Sequence, residues 1–348
     1  MCDWLIKILK QAPRLISLST YNLPHFRDDV PDPLKGNIES LEIGSGNAND
    51  ILCLLRDYRR LESLVVKRVF WHNGPINGAA LYDCLSELPH LRVLHLGVKG
   101  DPIRMDTFFD HFRAASLTEL TLAFDCKRYW EDVDNDSEAL YWPRISFARM
   151  LKRHADTLTQ LELEILRDEG RQLAEDFSLA EAVLAVPGLS HTKLGLNAFE
   201  DSDVATILEG IAALEYRESG ETLHRLKAAI IDIQGGRYLP KVTIEEIAKR
   251  LLDVAESRTN DRLAGVDAIP MSTMCVTFSR TFTAFDSHSA DTEDSSDAEL
   301  EGEVQESRPW STLVSNRAIS ERGRAVEKAG TRCFFGRWGD FGVQDGRW

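Results

Sequence analysis

The sequence predicts an α/β solenoid in which short parallel strands alternate with helices along one axis. Three observations carry this. A phrase of Leu, two residues, Leu, one residue, then Leu, Ile or Val recurs through two thirds of the chain. Between its copies lie segments whose apolar residues recur at three and four, the spacing of a one-sided helix. The copies follow one another too closely for any unit to bury its own apolar face, so the units must stack.

The phrase opens loosely at Leu15 and Leu18 and becomes regular at Ile38, Leu41 and Ile43, then at Leu61, Leu64 and Val66. It returns at Leu91, Leu94 and Leu96, at Leu117, Leu120 and Leu122, and at Leu158, Leu161 and Leu163. Looser copies are read at Leu194 and Leu196 and at Leu223 and Leu226. Helices are expected over Asp50 to Arg59, Asn77 to Leu88, Met105 to Phe112, Ile145 to Ala155, Gln172 to Val186, Asp203 to Leu214 and Thr243 to Ala255. Pro89 and Pro187 supply stop signals just ahead of the next phrase. The intervals between first positions are 23, 23, 30, 26 and 41 residues, and the last marks an insertion holding Tyr129, Trp130, Tyr141 and Trp142. These spacings predict a repeat domain over residues 1–258 and a weakly structured extension over 259–285. Residues 286–348 are expected to be a disordered tail, acidic first and then bearing Arg, Gly and Trp.

The net charge of −15 is concentrated, since nine Asp or Glu and no Lys or Arg lie between Asp286 and Glu306. No basic belt remains, which argues against nucleic-acid binding. The six cysteines lie far apart without C-x-x-C spacing, as expected of reduced thiols. No apolar run is long enough to span a bilayer. The reading is a cytoplasmic or nuclear protein.

The L-x-x-L-x-L phrase with helical connections is the leucine-rich-repeat signature, so the expected fold is an irregular horseshoe with a parallel concave sheet and outer helices. The stretch from Met150 to Leu163 (MLKRHADTLTQLEL) looks like the repeat region of fungal F-box/leucine-rich-repeat proteins. That resemblance implies substrate recognition in an SCF-type ubiquitin ligase, with a Skp1-type adaptor as a second partner if an F-box lies upstream. No F-box motif precedes Leu15. With one amphipathic helix ahead of it, the first strand is expected to be poorly protected, as in a fragment, an associating end or a marginally stable protein. The asparagine that closes each turn of regular repeats is also missing where expected, at Gly46, Val69, Lys99, Asp125 and Leu166.

Enzyme signatures fail one by one. Gly44-Ser45-Gly46-Asn47 lacks the third glycine and the Lys-Ser/Thr pair of a phosphate loop and reads as a repeat turn. Asp132, Asp134 and Asp136 begin like a calcium loop, but Ser137 and Pro143 stand where glycine and a bidentate Glu belong. No catalytic, cofactor or metal site is expected. The alternative is an enzyme whose site is assembled on the concave face.

Strand neighbours alternate sides, so residues flanking the buried aliphatics project from that face. It includes Tyr21, Glu42, Lys67, His95, Glu119, Gln160, Glu162, Glu164, Lys193, Asn197, Arg225 and Lys227, with Trp130 and Trp142 on the insertion as a rim. A protein partner is expected there.

Overall fold

The computed structural model describes residues 14–22, 35–47, 51, 55, 57–70, 88–100, 105–126, 139–140, 142–167, 172–173, 177–197, 201–216, 223–234, 241–259, 262–263, 268–279 and 316–336. Ten strands form one sheet: β1 (Ser17–Asn22), β2 (Ser40–Asn47), β3 (Ser63–Phe70), β4 (Val93–Lys99), β5 (Glu119–Asp125), β7 (Gln160–Leu166), β9 (His191–Asn197), β10 (Ala228–Gln234), β11 (Thr273–Ser279) and β12 (Arg332–Gly336). They lie in chain order and every pair is parallel. The intervening β6 (Ala139–Leu140) and β8 (Gln172–Leu173) pair separately with each other.

This is a leucine-rich-repeat solenoid, and the register shows why. Leu41 pairs with Leu64, Leu64 with Leu94, Leu94 with Leu120 and Leu120 with Leu161, so equivalent phrase positions stack from rung to rung. A carbonyl ladder fixes the same register. One carbonyl in each rung (Ile16, Glu39, Glu62, Arg92, Thr118, Thr159, Ser190 and Lys227) accepts two successive N–H groups of the next at 2.7–3.2 Å, and Ser272 accepts from Arg332 at 2.9 Å.

The aliphatic phrase residues from Ile38 to Leu163 are buried and belong to one continuous core with the helices. Each fully buried one contributes roughly 1.5–3 kcal/mol. The helices are α1 (Asp106–His111), α2 (Arg144–Arg153), α3 (Leu179–Leu184), α4 (Asp201–Ala213), α5 (Lys241–Ser257) and α6 (Arg317–Lys328). Their apolar stripes (Phe108 and Phe109, Phe147 and Met150, Ile207 and Ile211, Ile247 and Leu251) face the sheet core. Gly210 lets α4 approach α3, because a Cβ there would stand 2.9 Å from Leu179 Cβ.

Two buried arginines reinforce the later rungs. Arg167 is 1% exposed and forms an ion pair with Asp203 on α4. Arg258 is fully buried and donates to the carbonyls of Leu214 (2.7 Å) and Leu223 (2.8 Å), tying the end of α5 to the two preceding turns. Burial pushes its guanidinium down to about 10.

Several expectations need correction. The array does not stop at residue 258, and the chain from 286 is not all tail. β11 continues the sheet, and α6 with β12 completes a tenth rung. Ile319 and Val326 of α6 are buried. Arg322 on the same helix donates to Asp253 and Glu256 of α5 at 2.8 Å each. Met271, Met274 and Val276 stand at phrase positions in and just ahead of β11, so the two methionines hide this copy from a leucine count. The predicted helix from Gln172 is a strand at Gln172–Leu173, and helix only over Leu179–Leu184. Gly44 to Asn47 belongs to β2 rather than to a turn, with Gly44 allowing the close passage of Tyr21. Residues 77–87, 131–138 and 280–315 lie outside the described residues.

Candidate functional site

The sheet face opposite the helices is built from the phrase's alternate positions. Its middle row reads Ser19, Glu42, Val65, His95, Thr121, Glu162, Lys193, Ile230, Cys275 and Phe334, each in register with the next. A flanking row carries Glu119, Gln160 and His191, and the other carries Ala123, Glu164, Gly195, Asp232 and Thr277.

The polar groups are knitted across strands. Lys67 meets Glu42 at 2.6 Å, an exposed pair that contributes about 1 kcal/mol at most. Thr121 donates to Glu162 at 3.4 Å, and Glu162 also holds Lys193 in an ion pair. Gln160 donates to Glu119 at 3.4 Å, and Thr277 donates to Asp232 at 2.7 Å. Burial pulls the Lys193 ammonium down, but Glu162, Glu164 and Asp232 outweigh it and hold the group above its ordinary value. His95 moves the other way. Its burial, with Lys193 and Lys67 nearby, outweighs Glu162 and keeps the imidazole below its usual pKa and so neutral at pH 7. Glu164 lies over Gly195, where a Cβ would come within 3.0 Å of Glu164 Cγ. That glycine leaves room for the carboxylate to cross the face.

Exposure is graded along the rows. From β2 to β9 these residues, Gly195 apart, are half-buried or exposed, whereas Ile230, Asp232, Cys275 and Thr277 are buried and Phe334 is half-buried again. Burial and the neighbouring Asp232 push the Cys275 thiol up to about 12, so it stays protonated. Among the described residues no three His, Cys, Asp or Glu gather as a metal site. No described helix is long and apolar enough to cross a membrane.

Tyr21, Glu42, Lys67, His95, Glu119, Gln160, Glu162, Glu164 and Lys193 therefore share one sheet, with Tyr21 79% exposed on its first strand. Four residues depart from the expected surface. Asn197 is buried and its Oδ1 accepts from the Arg167 backbone N–H at 2.8 Å. It lies three positions beyond Leu194, so it is the closing asparagine that the regular copies lack. Arg225 and Lys227 belong to the turn before β10 rather than to the face. The last copies lie one phrase position away from the register that their leucines predict. Leu189, Thr192 and Leu194 form one triplet and Leu226, Ala229 and Ile231 the next, so Ala228, Ile230 and Asp232 take the face positions. Polar Thr192 and small Ala229 broke the aliphatic pattern there.

Trp142 is no rim residue. Its ring packs edge-on against Phe124 at 5.3 Å, Phe147 at 5.2 Å and Phe177 at 4.7 Å within the core. Trp130 lies outside the described residues. His191 and Asp232 were missed by sequence reasoning, and correct register from Ala229 would have found both.

No family model and no curated protein matches the chain. The comparison with solved structures finds it similar to the leucine-rich repeat-containing protein LegL7 from Legionella pneumophila, at 13% identity. The alignment covers 79% of this chain and 87% of that one, with a TM-score of 0.32. The repeat assignment stands on strand register and the carbonyl ladder.

Proposed function

We propose that the chain is a non-enzymatic protein-binding scaffold whose partner lies across β4 to β9 on the concave face. The observation that supports this is the graded exposure. Those strands present one continuous polar network, Thr121, Glu162 and Lys193 with Glu119 and Gln160 beside it, over several rungs. Paired charges of this kind fix register and partner choice more than raw affinity. The His95 imidazole beside it is neutral, and the network itself contains carboxylate, ammonium, hydroxyl and amide groups, which serve recognition.

A photo-crosslinker placed at Thr121 tests the reading against one placed at Lys249 on the exposed side of α5. The scaffold reading expects discrete adducts from Thr121 only, abolished by Glu162→Lys with Glu164→Lys. Equal adducts from both positions, or insensitivity to the charge reversal, would overturn it. Substrate recognition within an SCF-type ligase rests on phrase resemblance alone. A pull-down with a purified Skp1-type adaptor tests that separately.

A further inference from the structure

The turns that feed β4, β5 and β7 enclose a cleft of about 370 Å³ lined by Pro89, Arg113, Ala114, Ala115, Arg153 and His154. It lies apart from the concave face. The three turns are held together by short bonds: Ser116 Oγ donates to the Pro89 carbonyl at 2.6 Å, and the Ala114 N–H donates to His154 Nε2 at 3.0 Å.

Charge in this cleft is unbalanced. Its lining contains two guanidinium groups and no carboxylate. Arg153 reaches the Phe109 carbonyl with one terminal nitrogen, while its Nε–H is buried without an acceptor. Arg113 is exposed, and its guanidinium has no hydrogen-bond or ion-pair partner among the described residues. Asp110, the carboxylate that acts on Arg153, is bonded to Arg149 at 3.2 Å. His154 cannot compensate either, because its Nδ1 bonds the Met150 carbonyl at 2.7 Å and its Nε2 accepts from Ala114. That arrangement fixes the neutral tautomer. Burial, then the charges of Arg113 and Arg149 against that of Asp110, hold Arg153 below its ordinary value.

Two guanidinium groups lining one cleft, with no carboxylate in its wall, match the forked geometry by which arginine takes an oxyanion. The volume is at the small-ligand end of binding clefts and exceeds what a bare phosphate fills. Pro89, Ala114 and Ala115 supply an apolar wall for a carbon skeleton. We propose that this cleft binds an organic phosphate monoester, with Arg113 and Arg153 holding the dianion and the alanine and proline surface packing its carbon part. The phosphate belongs either to a free small molecule or to a phosphorylated side chain.

Calorimetric titration of the full chain at low salt with three probes tests this: inorganic phosphate, free phosphoserine, and a phosphoserine hexapeptide beside its unphosphorylated twin. The expected result is binding of phosphoserine at least tenfold tighter than inorganic phosphate, and no binding of the unphosphorylated peptide. A further tenfold gain with the phosphopeptide assigns the site to phosphorylated protein, and equal affinity assigns it to a small molecule. Arg113→Gln, at an exposed position, should weaken phosphoserine at least tenfold. Lys152→Gln, exposed on the same helix as Arg153, should leave it unchanged. Absence of saturable binding at millimolar phosphoserine, or equal affinity in Arg113→Gln, would overturn the proposal. Charge reversal at Glu162 and Glu164 should not move this affinity, so the two surfaces fail or stand separately.

Discussion

The rungs from β1 to β4 and those from β5 to β12 share a phrase and a register, yet different forces hold them. In the first stretch the residue after the first aliphatic is Glu39, Glu62 or Arg92, a solvated side chain. In the second it is Thr118, Thr159, Ser190 or Ser272 in four of the six rungs, and each of these hydroxyls donates to the ladder carbonyl of the preceding rung at 3.0–3.2 Å, while Lys227 and Arg332 take the position in the other two. The second stretch also contains the Arg167–Asp203 pair and the Arg258 clamp. The first ends in a strand whose Leu15 and Leu18 are only half-buried, with Ile16 57% exposed. The lesson is that repeated leucines set the architecture, while polar locks determine where it resists unfolding.

The largest effect should come from splitting the buried ion pair. Arg167→Met or Asp203→Leu alone leaves a charge without its partner and should cost about 3–5 kcal/mol in urea unfolding. The double change should cost much less. Next comes a matched pair of truncations. Leu161→Ala, in a fully packed rung, should cost about 2–5 kcal/mol. Leu18→Ala on β1 should cost about 1 kcal/mol or less, because less area leaves water there on folding. Equal losses at the two sites would erase the contrast between the ends.

That contrast was only partly legible in the sequence. Leucine periodicity located β2 to β7 because each phrase position there is filled by an aliphatic that only one face can bury. It failed where chemistry varied at equivalent positions. Thr192 and Ala229 shifted the reading of β9 and β10, and Met271 and Met274 concealed β11. The sixth helix offers little apolar periodicity to read, because Ile319 and Val326 alone carry its buried face, with Arg322 bonded to Asp253 and Glu256 beside them. Of the candidate face, Glu119 to Lys193 was readable from strand alternation. The phosphate cleft was not, because Pro89, Arg113 and Arg153 meet only through three turns distant in sequence.

A pH effect sharpens the same comparison. His154 lies below its ordinary pKa, mainly through burial and further through Arg153 and Arg113, against the Met150 carbonyl. The unfolded chain therefore takes up its proton first. Stability should be full above about pH 6.5 and should fall as pH drops below it. His95 and His191, both also lowered chiefly by burial, act in the same direction. His154→Phe should flatten the decline measured by urea midpoints between pH 7 and 5. An unchanged slope would show that His154 is already solvated.

The smallest effects test the hydroxyl column. Thr159→Val removes a bond to the Thr118 carbonyl and should cost about 0.5–1.5 kcal/mol. Thr192→Val should instead stabilise by about 1 kcal/mol, because that hydroxyl is buried without a partner. The same sign for both would show that the ladder hydroxyls contribute nothing specific.

Residue-resolved amide exchange on the native chain tests the stacked register most directly. The ladder donors Thr159, Gln160, Ser190, His191, Lys227 and Ala228 should exchange slowest, Glu39 and Ser40 measurably faster, and Arg332 should be protected by Ser272. Exchange of Arg332 at the rate of an unstructured peptide, or uniform protection from Glu39 to Ala228, would contradict the account.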